Sequence, residues 1–224
     1  MINPNSRRKE FKEYIHNSFP ALVVTELFEL AKYCDVFVFS GIIRDFFSNS
    51  LEKPRDLDIV INNTDHRLPE KFQKLLVGGK NQFGGTKMRV HGTDIDLWAL
   101  PDTWGIKKEH LEPTPESLIK TAFFNFSSIA YNINEEKFIY TNEFLKFLDC
   151  GELDVVYEDN PIPSLCIVSS YYYHKTRNLS ISTHLSEWIK RHYCRESDFI
   201  DVQERHFGKL LYSNDEIWNF VNNL

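Results

Sequence analysis

The sequence predicts a mixed α/β (α+β) domain, in which a mixed sheet is flanked by helices, followed by a small helical region at the C-terminal side. Three observations predict it. Apolar residues recur at helical spacing over 20–33. Two short segments, Asp56–Ile61 and Thr93–Ala99, alternate acidic and aliphatic residues with the period of a strand. From Pro163 onward the pattern is helical nearly throughout.

The elements follow in order. Residues 7–18 and 20–33 read as helices, the second through Leu22, Val23, Leu27, Leu30 and Ala31. Val36–Phe39 is a short buried strand, broken by Ser40-Gly41, and Ile42–Phe47 opens a helix. Asp56–Ile61 is a strand, and Pro69–Leu76 a short helix. Thr86–Val90 and Thr93–Ala99 form a hairpin across His91-Gly92. Residues 101–114 read as irregular, and Pro115–Ala122 as a short helix. Asn125–Asn132 and Lys137–Tyr140 suggest a second hairpin, with a helix at Asn142–Leu148. Helices are expected at 164–177, 183–194, 198–207 and 214–222. The acidic, two-proline stretch near 155–163 is the boundary candidate, which divides the chain into residues 1–155 and 156–224.

The 224 residues are 42% hydrophobic and 26% charged, an ordinary globular composition with enough apolar side chains for a core. The net charge of -6 argues against a protein that coats nucleic acid, since such proteins carry a basic balance. No signal peptide is visible in Met1–Glu13, and no apolar run is long enough to span a membrane. Cys34, Cys150, Cys166 and Cys194 contain no CxxC pair and read as free thiols, so a cytoplasmic setting without a membrane partner is expected.

Period two puts Asp56 and Asp58 on one face of their strand, with Leu57, Ile59 and Ile61 on the other. Two carboxylates side by side repel unless a cation or a proton lies between them. Hard divalent cations suit carboxylate oxygens and retain open positions for phosphate. Asp94 and Asp96 repeat the pattern. If the two strands are neighbours, three acids can converge as a two-metal phosphoryl- or nucleotidyl-transfer site requires. A lone Asp-x-Asp is most often a solvated face; two in order, downstream of a turn that could bind phosphate, raise the expectation of a metal site considerably. That turn is Ser40-Gly41, where a strand passes into a helix and backbone N–H groups face outward. Arg44, one turn into the helix, is in reach of Asp45 or another carboxylate.

Phe39-Ser40-Gly41-Ile42-Ile43-Arg44-Asp45-Phe46-Phe47, followed by Arg55-Asp56-Leu57-Asp58-Ile59-Val60, resembles the head domain of the poly(A) polymerase and tRNA CCA-adding superfamily. The family pattern there is Gly-Gly-x-Val-Arg-Asp, a short loop, then Asp-x-Asp. The resemblance covers roughly residues 35–135 and implies the polymerase-β-like nucleotidyltransferase fold. It implies that Ser40 and Gly41 touch a triphosphate, such as ATP, and that Asp56 and Asp58 bind metal, Mg2+ or Mn2+. Asp96 stands where the third carboxylate is expected, with Asp94 as the alternative. Phe124-Asn125-Phe126-Ser127-Ser128-Ile129-Ala130-Tyr131 resembles the Arg-Asp-Phe-Thr-Ile-Asn-Ala-x-Ala-Tyr segment that ends the family's head. Arg44, Asp45 and Asn125 are counted with the nucleotide-binding residues on this basis.

The sequence departs from the family at three points. Ser40 replaces the first glycine, and Ala122-Phe123 stand where the family has Arg-Asp. No Glu-Asp-x-x-Arg motif is present, which argues against CCA addition. The expected activity is metal-dependent transfer of a nucleoside monophosphate from a triphosphate, with release of pyrophosphate. Asp56, Asp58 and Asp96 are the catalytic and metal-binding residues. The acceptor is open: an RNA 3′ end, a protein hydroxyl, a small molecule or a second nucleotide. A catalytically inactive nucleotide-binding regulatory module and a metal-dependent phosphohydrolase are the alternatives. Trp98 and Trp104 flank the third-carboxylate strand and read as core, or as rings beneath a bound base.

Overall fold

The computed structural model describes residues 3–48, 54, 57–62, 68–79 and 84–224. After a 3-10 turn at Pro4–Arg7 come α1 (Arg8–Ser18), α2 (Ala21–Leu30), β1 (Asp35–Phe39), α3 (Gly41–Phe47) and β2 (Leu57–Asn62). Next are α4 (Glu70–Gln73), β3 (Leu76–Val77), β4 (Thr86–Val90), β5 (Thr93–Ala99), α5 (Trp104–Lys108) and α6 (Pro115–Lys120). Then follow β6 (Ile129–Asn132), β7 (Lys137–Tyr140), α7 (Asn142–Cys150) and β8 (Glu152–Leu153). The remainder is α8 (Pro163–Arg177), β9 (Ser180–Ile181), α9 (Thr183–His192), α10 (Phe199–Phe207) and α11 (Asn214–Asn222). No helix among the described residues is long and apolar enough to cross a membrane.

Among the described residues the main sheet has seven strands in the order β3-β4-β5-β2-β1-β6-β7. It is mixed, because β2 and β5 run parallel while the other neighbours in it are antiparallel. Alternation along the strands gives the sheet two apolar faces. Leu57, Ile59 and Ile61 join Val36, Val38, Ile95 and Leu97 beneath α1, α2 and α3. Phe37, Val60 and Ala130 point the other way, where Ile106 of α5 and Leu118 and Ile119 of α6 cover them. The second cover is shorter than the sheet. It leaves open the end of that face where Asp58 and Asp96 stand, and so creates a cleft.

Three element predictions need correction. The helix expected over Pro69–Leu76 is confined to Glu70–Gln73, because Leu76 and Val77 instead pair with Met88 and Lys87 as an edge strand. The stretch 101–114 is not wholly irregular: α5 forms because Ile106 has an apolar face to bury against, and its Gly105 lets Thr121 pack close, where a Cβ would lie 2.6 Å from the threonine Cβ. The strand expected from Asn125 starts only at Ile129. Residues 125–127 are a 3-10 turn, locked when the Asn125 carboxamide oxygen accepts from Phe126 N (2.9 Å) and Asp154 N (3.1 Å). The hairpin at His91-Gly92 is as expected, with φ of 47° and 83°, the pair of positive values that a type I′ turn needs.

One apolar cluster crosses the boundary expected at 155–156. Phe124, Phe126 and Phe147 belong to it, as do Ile167, Trp188 and Phe199 from the later helices. β8 also pairs with β9 across that point.

Candidate functional site

The site begins with strand register. Asp58 and Asp96 are Cα partners across the parallel pair β2–β5. Neighbouring strands lie about 4.8 Å apart, so the two carboxylates leave the same face side by side. The row continues on both sides: Lys87 of β4 is opposite Asp96, and Phe39 of β1 is opposite Asp58. Lys87 Nζ sits 3.3 Å from Asp96 Oδ1, and Asp96 keeps 31% side-chain exposure. Asp58 is half-buried. Asp56 lies outside the described residues.

Asp94 shares a face with Asp96 but is otherwise engaged. Arg89 holds it with two hydrogen bonds, of 2.6 and 3.0 Å, and this pairing draws the Asp94 carboxyl below its usual range. Asp96, rather than Asp94, lines the cleft with Asp58.

The turn after β1 ends in the same place. Ser40 has φ 56° and ψ -108°, a conformation that favours glycine, and its hydroxyl pairs with that of Ser127 at 3.0 Å. Ser40, Asp58 and Asp96 line a cavity of about 370 Å³ together with Ser127. Aromatic rings form much of its wall: Phe39, Trp98, Trp104, Phe123 and Phe124. Ala122 and Phe123, where the resembling family carries Arg-Asp, are both part of that lining. The segment Asp159-Asn160-Pro161 closes one side.

Three other residues that the sequence assigned to nucleotide binding are not in this lining. Arg44 points to α8. Its Nε donates to Asp45 Oδ1 at 2.9 Å and another guanidinium nitrogen to Tyr173 Oη at 2.9 Å, while its guanidinium carbon lies 5.2 Å from the Phe126 ring centroid. Asp45 is buried and is also bound by Arg177 of α8 at 2.9 Å. Asn125 is buried, and its Nδ2 donates to the Glu152 carbonyl at 2.8 Å. Gly41 begins α3 beside the lining residue Ser40. Arg44, Asp45 and Asn125 thus brace the walls of the site from behind.

Sequence reasoning passed over Thr103, Thr121, Asp159 and Asn160, all of which line the cavity. The acidic, proline-bearing stretch at 157–163 was visible as a break in pattern, but not as part of a site. Among the described residues no group of three or more His, Cys, Asp or Glu side chains is arranged to hold a metal.

No family profile matches the chain, and no protein of curated function matches it in sequence. Its fold is found in solved structures. A CCA-adding enzyme in complex with CTP superposes with a TM-score of 0.67 at 15% identity, over 96% of this chain and 54% of that one. A tRNA nucleotidyltransferase complexed with a primer tRNA and an incoming ATP analog gives 0.62 at 14% identity, over 87% of this chain and 59% of that one. A tRNA-processing enzyme with CTP gives 0.62 at 13% identity, over 87% and 55%. The chain spans a little over half the length of these enzymes. At this level of identity the likeness concerns architecture, and on that ground the chain has the nucleotidyltransferase fold.

Proposed function

We propose that the protein transfers a nucleoside monophosphate from a nucleoside triphosphate to an acceptor hydroxyl. The observation that carries this function is the register that makes Asp58 and Asp96 Cα partners at the mouth of the cavity that Ser40 lines. The acceptor oxygen attacks the α-phosphorus. The bond from that phosphorus to the bridging oxygen breaks, and pyrophosphate leaves with the electron pair. Asp96 would take the acceptor proton. Ser40 and Gly41 contact the β- and γ-phosphates.

The donor set suits magnesium or manganese, which is commonly held by one or two carboxylates together with substrate phosphates. Asp58 and Asp96 would hold it, with Asp56 as a third ligand. Such an ion would offset phosphate charge and orient the triphosphate. It would also displace the Lys87 ammonium from Asp96. The head-like part, residues 1–155, carries these groups, and residues 156–224 contribute one wall. Cys34, Cys150, Cys166 and Cys194 are free, which fits a reducing compartment such as the cytoplasm.

The test is pyrophosphate release from each of the four triphosphates, with magnesium and a panel of acceptors: RNA 3′ ends, protein, small hydroxyl compounds and a second nucleotide. Asp58→Asn and Asp96→Asn should each abolish release while the circular dichroism spectrum stays unchanged. Turnover equal to that of the unaltered protein would refute the assignment. Release of inorganic phosphate instead would point to a phosphohydrolase. The Lys87–Asp96 pair favours one rival, a nucleotide-binding module without catalysis. That rival predicts calorimetric binding of nucleotide with no pyrophosphate.

A further inference from the structure

Two features of the cavity are not used by the phosphate chemistry: its aromatic wall and the strap that closes one side. Trp98 is fixed in the floor. Its ring meets Phe39 edge-on at 6.0 Å, and its Nε1 donates to Thr103 Oγ1 at 3.1 Å. Trp104 differs. It is the first residue of α5, it is half-buried, and it lines the cavity; its ring centroid lies 6.2 Å from that of Tyr157 and 5.3 Å from Lys108 Nζ.

The strap, residues 157–161, is fastened at several points. Tyr157 donates its hydroxyl to Glu109 Oε1 at 2.6 Å, and Lys108 pairs with Asp159 at 2.5 Å. The Glu158 carbonyl accepts from Trp188 Nε1 at 2.9 Å. Asn160 Oδ1 accepts from Ile162 N at 2.9 Å, which fixes the carboxamide, and Asn160 lines the cavity. A half-buried indole and a carboxamide that line one cavity are suited to a flat heteroaromatic ring. The indole supplies stacking area, and the amide fixes the edge of the ring.

Resting on the nucleotide function above, we propose that Trp104 stacks on the nucleobase and that Asn160 donates to its edge, so that α5 and the strap form the base pocket. A triphosphate held at Ser40, its charge offset by the magnesium that Asp58 and Asp96 would hold, would have this aromatic wall within reach of its nucleoside. The Asp159 charge is offset by Lys108, so the pocket does not require a cationic ring.

Calorimetry on the full chain with magnesium tests the proposal, with the four nucleoside triphosphates and inorganic tripolyphosphate as ligands. Trp104→Ala should weaken every nucleotide about tenfold or more, the range of one lost base stack. Trp104→Phe should recover most of that loss, and tripolyphosphate binding should not change. Asn160→Ala should alter the ranking among the four nucleotides. The base pocket is overturned if Trp104→Ala binds nucleotides as the unaltered protein does. It is equally overturned if nucleotide and tripolyphosphate affinity fall together, since Trp104 would then be structural. Unaltered protein that binds tripolyphosphate as tightly as nucleotide overturns the base pocket alone. Unaltered protein that binds neither overturns the nucleotide function as well.

Discussion

Replacing Asp45 with asparagine probes the brace behind the Ser40-Gly41 turn. The Asp45 side chain is 11% exposed, and its Oδ1 lies 2.9 Å from both Arg44 and Arg177, which are themselves 13% and 19% exposed. Asparagine keeps the shape and one acceptor oxygen but leaves two largely buried guanidinium groups without a counter-charge. Breaking a fully buried pair costs about 3–5 kcal/mol. The residual exposure of all three groups lowers this to about 2–3 kcal/mol. With a urea slope near the upper end for single domains, ~3 kcal/mol/M, the midpoint should fall by about 1 M. Urea unfolding followed by both circular dichroism and tryptophan fluorescence measures it, and coincident curves justify two-state treatment. Arg177→Met, alone and combined with Asp45→Asn, completes a double-mutant cycle. The coupling should exceed about 1 kcal/mol. A midpoint within about 0.2 M of the unaltered protein would refute the view that this network holds α3 against α8.

Two further predictions follow from local geometry. Ser40→Ala should destabilise the protein by about 1 kcal/mol, since it removes the hydroxyl paired with Ser127 but keeps the unfavourable backbone. Ser40→Gly removes the same hydroxyl yet should cost less, because glycine adopts φ 56° without strain; the order of the two melting temperatures checks it. Among the thiols, burial pushes Cys166 far above the ordinary range, and burial, then Asp35, raises Cys34 to about 11. Both should stay protonated at pH 8, so Ellman's reagent should react promptly with exposed Cys150 and Cys194, slowly with half-buried Cys34, and only on unfolding with buried Cys166. Four fast-reacting thiols would contradict the burial of Cys166.

The parts of the fold with strong local signals were legible. The alternation in 57–62 and 93–99 and the positive-φ turn at His91-Gly92 are local properties, and the structure contains them. So is the amphipathic pattern of α9 through Leu185, Trp188 and Ile189. Segments whose state depends on distant partners were not. Leu76-Val77 is a strand only because β4 lies beside it. α5 is a helix with an apolar surface to cover. Asn125 has the residue type of a ligand contact, but the three hydrogen bonds of its side chain go to backbone groups of Phe126, Glu152 and Asp154.

The same division runs through the site. The sequence alone determined that Asp94 and Asp96 share a face, because side-chain direction in a strand repeats every two residues whatever the strand packs against. It also showed that a strand-to-helix turn precedes them at Ser40-Gly41. Only the tertiary structure decided that Asp58 and Asp96 are partners, since the register of two strands nearly forty residues apart is set by the simultaneous burial of both sheet faces. The same packing engaged Asp94 with Arg89 and turned Arg44 and Asp45 toward α8. It also brought Trp104 and the strap from 157 to 161 to the cavity that opens on those two carboxylates.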